Sequence, residues 1–161
     1  MLIGWLVLPV LFFVYLRFGY APVATSAPLL PFEELLANSA VQARILREAP
    51  KQAALPPSEP NLLAGARIYR EHCVECHGVN HEAETPLAKG MFPKPPQFFE
   101  KHNMGNDPVG QNYWIVTNGI RLTGMPAYRG TLTEEQLWQV SQFLSNRDQL
   151  PKSVADFLAS H

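Results

Sequence analysis

Hydrophobic and polar positions divide this chain into stretches of very different character. Residues 1–16 carry no charged side chain and are almost wholly apolar, from Leu2, Ile3 and Trp5 through Leu11, Phe12, Phe13 and Val14 to Leu16. Sixteen residues of helix rise about 24 Å, short of the ~30 Å hydrocarbon core of a bilayer. Extending the run to Tyr20, with Arg17 snorkelling to the interface, closes the gap, and Pro9 would only kink the helix. The pattern therefore predicts one transmembrane anchor over residues 1–20. A cleaved signal peptide is the competing reading, with Ala24-Thr25-Ser26 ahead of Ala27 as the cleavage site. The absence of Lys or Arg before the apolar run favours a retained span.

Residues 21–60 read as a Pro-rich linker holding one amphipathic helix near residues 31–49. At 100° per residue, Phe32, Leu35, Leu36, Ala40, Ala43 and Leu46 share one face of that helix, away from Glu33, Glu34, Arg44 and Glu48. Pro56, Pro57 and Pro60 then stiffen the approach to a globular segment over residues 61–150. Asn61 is placed to cap a helix running to about His72. Residues 78–106 read mostly as loop, and Asp107-Pro108 opens a helix to about Thr117. Thr133 with Gln136 forms a capping-box pattern for a last strong helix over residues 134–147, whose Leu137, Val140, Phe143 and Leu144 make a buried face. A tail over residues 151–161 has a helical stretch at 153–160. Every regular element read from this pattern is a helix, in keeping with an all-α fold.

Length and charge change this picture little. The 161 residues carry 13 Lys and Arg against 14 Asp and Glu, with no basic block and no interleaving of basic and aromatic residues, which argues against a nucleic-acid partner. A globular segment of this size buries too little surface to be comfortably stable alone, so a bound group that adds to its core would be useful.

Chemistry concentrates in Cys73-Val74-Glu75-Cys76-His77. The two cysteines are the only ones present, so no thiol remains for a disulfide elsewhere. The C-x-x-C-H spacing is the attachment signature of a c-type haem. Two thiols three positions apart at the end of a helix can each add to a vinyl group on one side of a porphyrin, and His77 is then held beneath the iron. Half of a zinc site or a thioredoxin-like redox pair are the alternatives; the first needs further ligands at suitable spacing, the second needs no trailing histidine.

Met125, 48 residues after His77, lies in Thr123-Gly124-Met125-Pro126-Ala127-Tyr128. Gly124 permits a close approach and Pro126 fixes the exit of the chain, an arrangement suited to aiming a thioether at a fixed iron. Met91 and Met104 lie in Pro-, Gly- and Asn-rich loop and read as packing or surface residues. His72, His81 and His102 read as solvent-facing.

Residues 62–147 resemble class I (mono-haem) cytochromes c, especially the small domains of bacterial membrane electron-transfer chains. The resemblance rests on Gly65-Ala66-Arg67-Ile68-Tyr69 leading into C-V-E-C-H-G, on the segment from Tyr113 through Gly124-Met125-Pro126 to Tyr128, and on the helix opening at Leu132-Thr133-Glu134-Glu135. It implies a helical fold around one covalent haem c, with thioether links from Cys73 and Cys76, axial ligands His77 and Met125, and the Pro96 carbonyl accepting from the His77 ring. The first and last helices of the domain would cross near Gly65, with Tyr69 against Phe143. Trp114, Arg121 and Tyr128 could reach the haem propionates or the Met125 loop, and each could equally be a packing or surface residue. The implied role is a one-electron carrier rather than an enzyme, working with subunits of a respiratory or photosynthetic membrane complex. The haem domain would face the periplasm from the bacterial inner membrane. A haem enzyme or gas-binding sensor with a vacant sixth position is the alternative function.

Overall fold

The computed structural model describes residues 2–79, 84–100 and 107–160. Met104, His81 and His102 lie outside the described residues. Two compact units are present, residues 1–38 and 39–161. All regular structure among the described residues is helical.

In the first unit, α1 (Leu2–Arg17) carries no charge before its last residue, Arg17, and the side chains of Leu6, Leu8, Phe12 and Phe13 are exposed. The expected extension to Tyr20 does not occur. The chain leaves the helix after Arg17 and turns at Gly19, whose φ of 78° only glycine adopts freely. Among the described residues no helix is long and apolar enough to cross a membrane. Helix α2 (Glu33–Glu48) starts in this unit and ends in the next.

The second unit is built around α3 (Glu59–His72), α6 (Val109–Asn118), α7 (Glu134–Ser145) and α8 (Lys152–Ala159), with the short helices α4 (Val74–His77) and α5 (Pro86–Gly90) between α3 and α6. Helix α3 begins two residues before the expected Asn61 cap. Pro60 needs no N–H partner in a first turn, so it sits inside the helix, while Asn61 instead donates its amide to the Pro56 carbonyl at 3.0 Å. The capping box on α7 is present, Thr133 and Gln136 satisfying each other's backbone N–H. That helix ends at Ser145, and Arg147–Gln149 forms a 3-10 turn.

Helices α3 and α7 cross at Gly65, where a Cβ would stand 2.2 Å from the Gln139 carbonyl oxygen and 2.7 Å from Phe143 Cβ. The close approach brings Tyr69 against Phe143, their rings 5.2 Å apart, and both are fully buried. Helix α8 closes the other side of α3. Val154 is buried there, the Phe157 carbonyl accepts from Arg70 Nη1 at 2.9 Å, and the Arg70 guanidinium lies 5.1 Å over the Phe157 ring.

The end of α2 packs on this unit through a different face from the one its periodicity indicates. Ile45 is 1% exposed, whereas Leu46 is 67% exposed, and Phe32, Leu35, Leu36, Ala40 and Ala43 are also exposed. Glu48 accepts from Trp114 Nε1 at 3.2 Å, and the Pro50 carbonyl oxygen would be 1.8 Å from a Cβ at Gly110. Gln142 donates its amide to the Leu55 carbonyl.

Because the obstacles at Gly65 are largely backbone, Gly65→Ala cannot be relieved by a rotamer change. It should destabilise the protein by about 2–3 kcal/mol, read as a lower denaturant midpoint at unchanged m-value.

Candidate functional site

Helix α3 delivers the C-x-x-C-H run. It ends at His72, the Cys73 N–H returns to the Tyr69 carbonyl at 2.8 Å, and a single turn, α4, then carries Cys76 and His77. Gly78 ends that turn at a φ of 68°, where a Cβ would be 2.6 Å from Gln97 Oε1. Two tyrosines brace the run from outside. Tyr69 Oη donates to the Gly78 carbonyl at 2.6 Å and Tyr128 Oη to the His72 carbonyl at 2.8 Å. Gln97 Nε2 donates to the Cys76 carbonyl at 2.9 Å, and Thr85 Oγ1 to the Glu75 carbonyl at 2.6 Å. Four carbonyls at the motif, those of His72, Glu75, Cys76 and Gly78, thus each gain a side-chain donor.

The His77 ring has a defined setting. Its Nδ1 lies 2.9 Å from the Pro96 carbonyl oxygen, so Nδ1 carries the proton and donates, and Nε2 is left as the free donor of a lone pair. Phe98 stacks on the ring at 4.6 Å between centroids and 13° between planes. Burial holds the His77 pKa below its ordinary value, and the Pro96 carbonyl only partly offsets this, so the neutral imidazole predominates near neutral pH.

Met125 is presented by the chain after α6. Gly119 ends that helix at a φ of 64°, and a Cβ there would be 2.7 Å from the Met125 carbonyl oxygen and the Ala127 nitrogen. Thr123 Oγ1 donates to the Ile120 carbonyl at 2.7 Å and accepts from the Met125 N–H at 3.1 Å, while the Ile120 N–H donates to the Met125 carbonyl at 3.2 Å. The Tyr128 N–H then ties the segment to the Val116 carbonyl at 3.0 Å.

Cys73, Cys76, His77 and Met125 all line one cavity of about 220 Å³, with Tyr69, Phe98, Ile115, Val116 and Leu144 among its apolar walls. Among the described residues, Asp107 is the one acidic residue on that lining. His72, read as solvent-facing, and Met91, read as a packing or surface residue, are also there. His72 lines the cavity with its ring 5.8 Å from Tyr128, rather than facing solvent. Met91 lines it as well, and its Cε would be 1.9 Å from a Cβ at Gly124. The close approach that Gly124 permits is therefore to the Met91 side chain. Of the residues expected near the Met125 loop, Tyr128 lines the cavity; Trp114 turns to Glu48 and lines a separate polar cavity, and Arg121 is exposed.

This donor set fits a covalently held haem. Both thiols are free of disulfides, the walls are largely apolar, and the imidazoles of His77 and His72 and the thioethers of Met125 and Met91 border the same space. The alternatives fit less well. A redox-active C-x-x-C pair depends on a depressed thiol pKa; here burial, and then the neighbouring Cys76, pushes Cys73 up to about 12, and burial and Glu75 raise Cys76. No group of three or more His, Cys, Asp or Glu that could hold a metal ion occurs among the described residues.

Gly119 is a site residue that the motif search passes over, although a glycine just past a helix end is a legible signal. Gly119→Ala combines a strained left-handed backbone with contacts to the Met125 segment. It should cost about 1–3 kcal/mol of stability, read as a lower denaturant midpoint.

Several known proteins are similar to parts of this chain. The Pseudomonas putida protein "Quinohemoprotein alcohol dehydrogenase ADH-IIG" is 31% identical over 101 residues, which are 62% of this chain and 12% of that protein. A solved structure from the Kuenenia stuttgartiensis reducing HAO-like protein complex is 28% identical, covering 56% of this chain and 44% of that one with a TM-score of 0.48. The family profile described as "Cytochrome C oxidase, cbb3-type, subunit III" matches residues 60–144. That match spans more than half of the chain and takes in both the C-x-x-C-H run and Met125, and the chain belongs to this cytochrome c family.

Proposed function

We propose that the chain is a one-electron carrier holding one haem c, linked through Cys73 and Cys76 and ligated by His77 and Met125. The observation that carries this reading is the convergence of those four side chains on one apolar cavity. The bound haem would supply an iron that alternates between ferrous and ferric states, with the thioether favouring the ferrous one.

The protein's own part is to hold the ligands still and keep water away. Pro96 fixes the tautomer and direction of His77, with Nδ1 donating to its carbonyl. The hydrogen bonds of Thr123 and Ile120 fix the turn that carries Met125. Tyr69 and Tyr128 pin the backbone on either side of the cysteines. Ligands held this firmly need little rearrangement when the charge of the site changes by one, which is what rapid electron transfer requires.

We further propose that the chain works as a subunit of a membrane respiratory or photosynthetic complex, with its haem domain outside the bacterial cytoplasm. The family description names an oxidase subunit, and the Pseudomonas relative is a dehydrogenase of which this chain covers about an eighth; both are settings in which a cytochrome domain serves larger redox partners. Membrane attachment rests on the charge-free run ahead of Arg17 and on its exposed apolar side chains.

Two experiments test these readings. The reduced haem protein should not bind carbon monoxide, whereas Met125→Ala should bind it stoichiometrically; ready binding by the unaltered protein would favour a gas-binding haem. Alkaline carbonate should leave the full chain with the membrane fraction and release a chain lacking residues 1–20. Equal release of both would remove the anchor from the reading.

A further inference from the structure

One buried charge stands behind the proposed site without a part in it so far. Arg147 opens the 3-10 turn after α7 and is 8% exposed. Its Nη1 donates to the Leu144 carbonyl at 2.7 Å, which keeps the guanidinium inside the fold. The guanidinium carbon lies 5.4 Å from the centre of the Phe98 ring. Phe98 in turn lies nearly flat on His77, 4.6 Å between centroids and 13° between planes. A cation, a phenyl ring and an imidazole thus stand in series, and the Phe98 N–H also reaches the His77 carbonyl at 3.4 Å.

Two consequences follow from that series. The two spacings hold the cation within about 10 Å of the imidazole centre, near enough for a unit charge to count in a protein interior. Its charge is permanent, because a guanidinium is not deprotonated in proteins, and burial shields it from salt. Asp148, the next residue, is an exposed opposite charge. The Phe98 ring meanwhile forbids rotation of the imidazole about its link to the backbone, since turning it would break the stack.

We propose that Arg147 is a positioning residue for the electron carrier: through Phe98 it fixes the plane of His77, and its charge favours the reduced, less positive state of the site. This inference rests on the reading that His77 ligates a haem iron. Oxidation adds a positive charge near a cation that cannot leave, so the potential should stand higher with Arg147 than without it.

The test uses the full haem-loaded chain in a spectroelectrochemical titration, comparing unaltered protein with Arg147→Gln and Arg147→Lys. Glutamine keeps a polar amide of shorter reach but carries no charge. It should shift the ferric-to-ferrous ratio at fixed potential about tenfold toward ferric, a fall of about 59 mV for a one-electron couple. Lysine should retain most of the unaltered value. An unchanged potential in Arg147→Gln, or an equal fall in both variants, overturns the role of charge. Phe98→Leu serves as the second variant should Arg147→Gln fail to accumulate, because it leaves the cation in place and removes the stacked ring. Its ferric electron paramagnetic resonance g-values should move as the imidazole plane is released, and unmoved values overturn the positioning role. A normal histidine-and-methionine spectrum in the unaltered protein together with those negative results would overturn this inference alone. Absence of that spectrum from the unaltered protein would overturn the reading beneath it as well.

Discussion

The crossing of α3 and α7 at Gly65 sets the position of everything on the cavity's proximal side. With no side chain at that point the two backbones come together closely enough for Tyr69, one turn further along α3, to be buried against Phe143. Tyr69 also meets the edges of Phe98 and Phe99, at 6.4 and 5.7 Å. Its hydroxyl therefore has one direction open to it, and it meets the Gly78 carbonyl directly after His77. A missing methyl group on one helix is in this way coupled, through one ring and one hydrogen bond, to the placement of the cysteine–histidine run.

The polar groups around the cavity serve geometry more than charge. The thiols are held protonated by burial, His77 is held neutral, and the tyrosine hydroxyls are spent on carbonyls. Burial raises the pKa of both Tyr69 and Tyr128, so neither adds a charge near neutral pH. Such a space suits a large apolar group held by covalent and coordinate bonds, because few competing charges have to be desolvated when it is enclosed.

Legibility in the sequence follows the range of the interactions involved. The C-x-x-C-H run is readable because its chemistry demands a fixed local spacing, and Met125 is readable because Gly and Pro mark the turn around it. The capping box on α7 is likewise a contact between residues three apart. Features set by distant partners are not readable in the same way. Ile45 is buried and Leu46 exposed because of what the second unit presents to the end of α2, which no helical periodicity contains. Arg147 reads as an ordinary charged residue near a helix end, and only the arrival of Phe98 from a loop nearly fifty residues away makes it part of the site. Helix α1 falls short of its expected length for the opposite reason: hydrophobicity continues through Phe18 and Tyr20, but the backbone turns at Gly19.

The segment before α3 also changes what counts as the domain. Sequence kinship begins at residue 60, yet Ile45, the Pro50 carbonyl over Gly110 and the Leu55 carbonyl bonded to Gln142 belong physically to the same packed body. A fragment trimmed to the region of kinship would uncover the side of α6 that carries Trp114 and leave the buried Gln142 amide without its acceptor. The strip from Ile45 to Leu55 is thus a belt rather than a leash. An engineer wishing to graft this cytochrome elsewhere would have to carry the belt along.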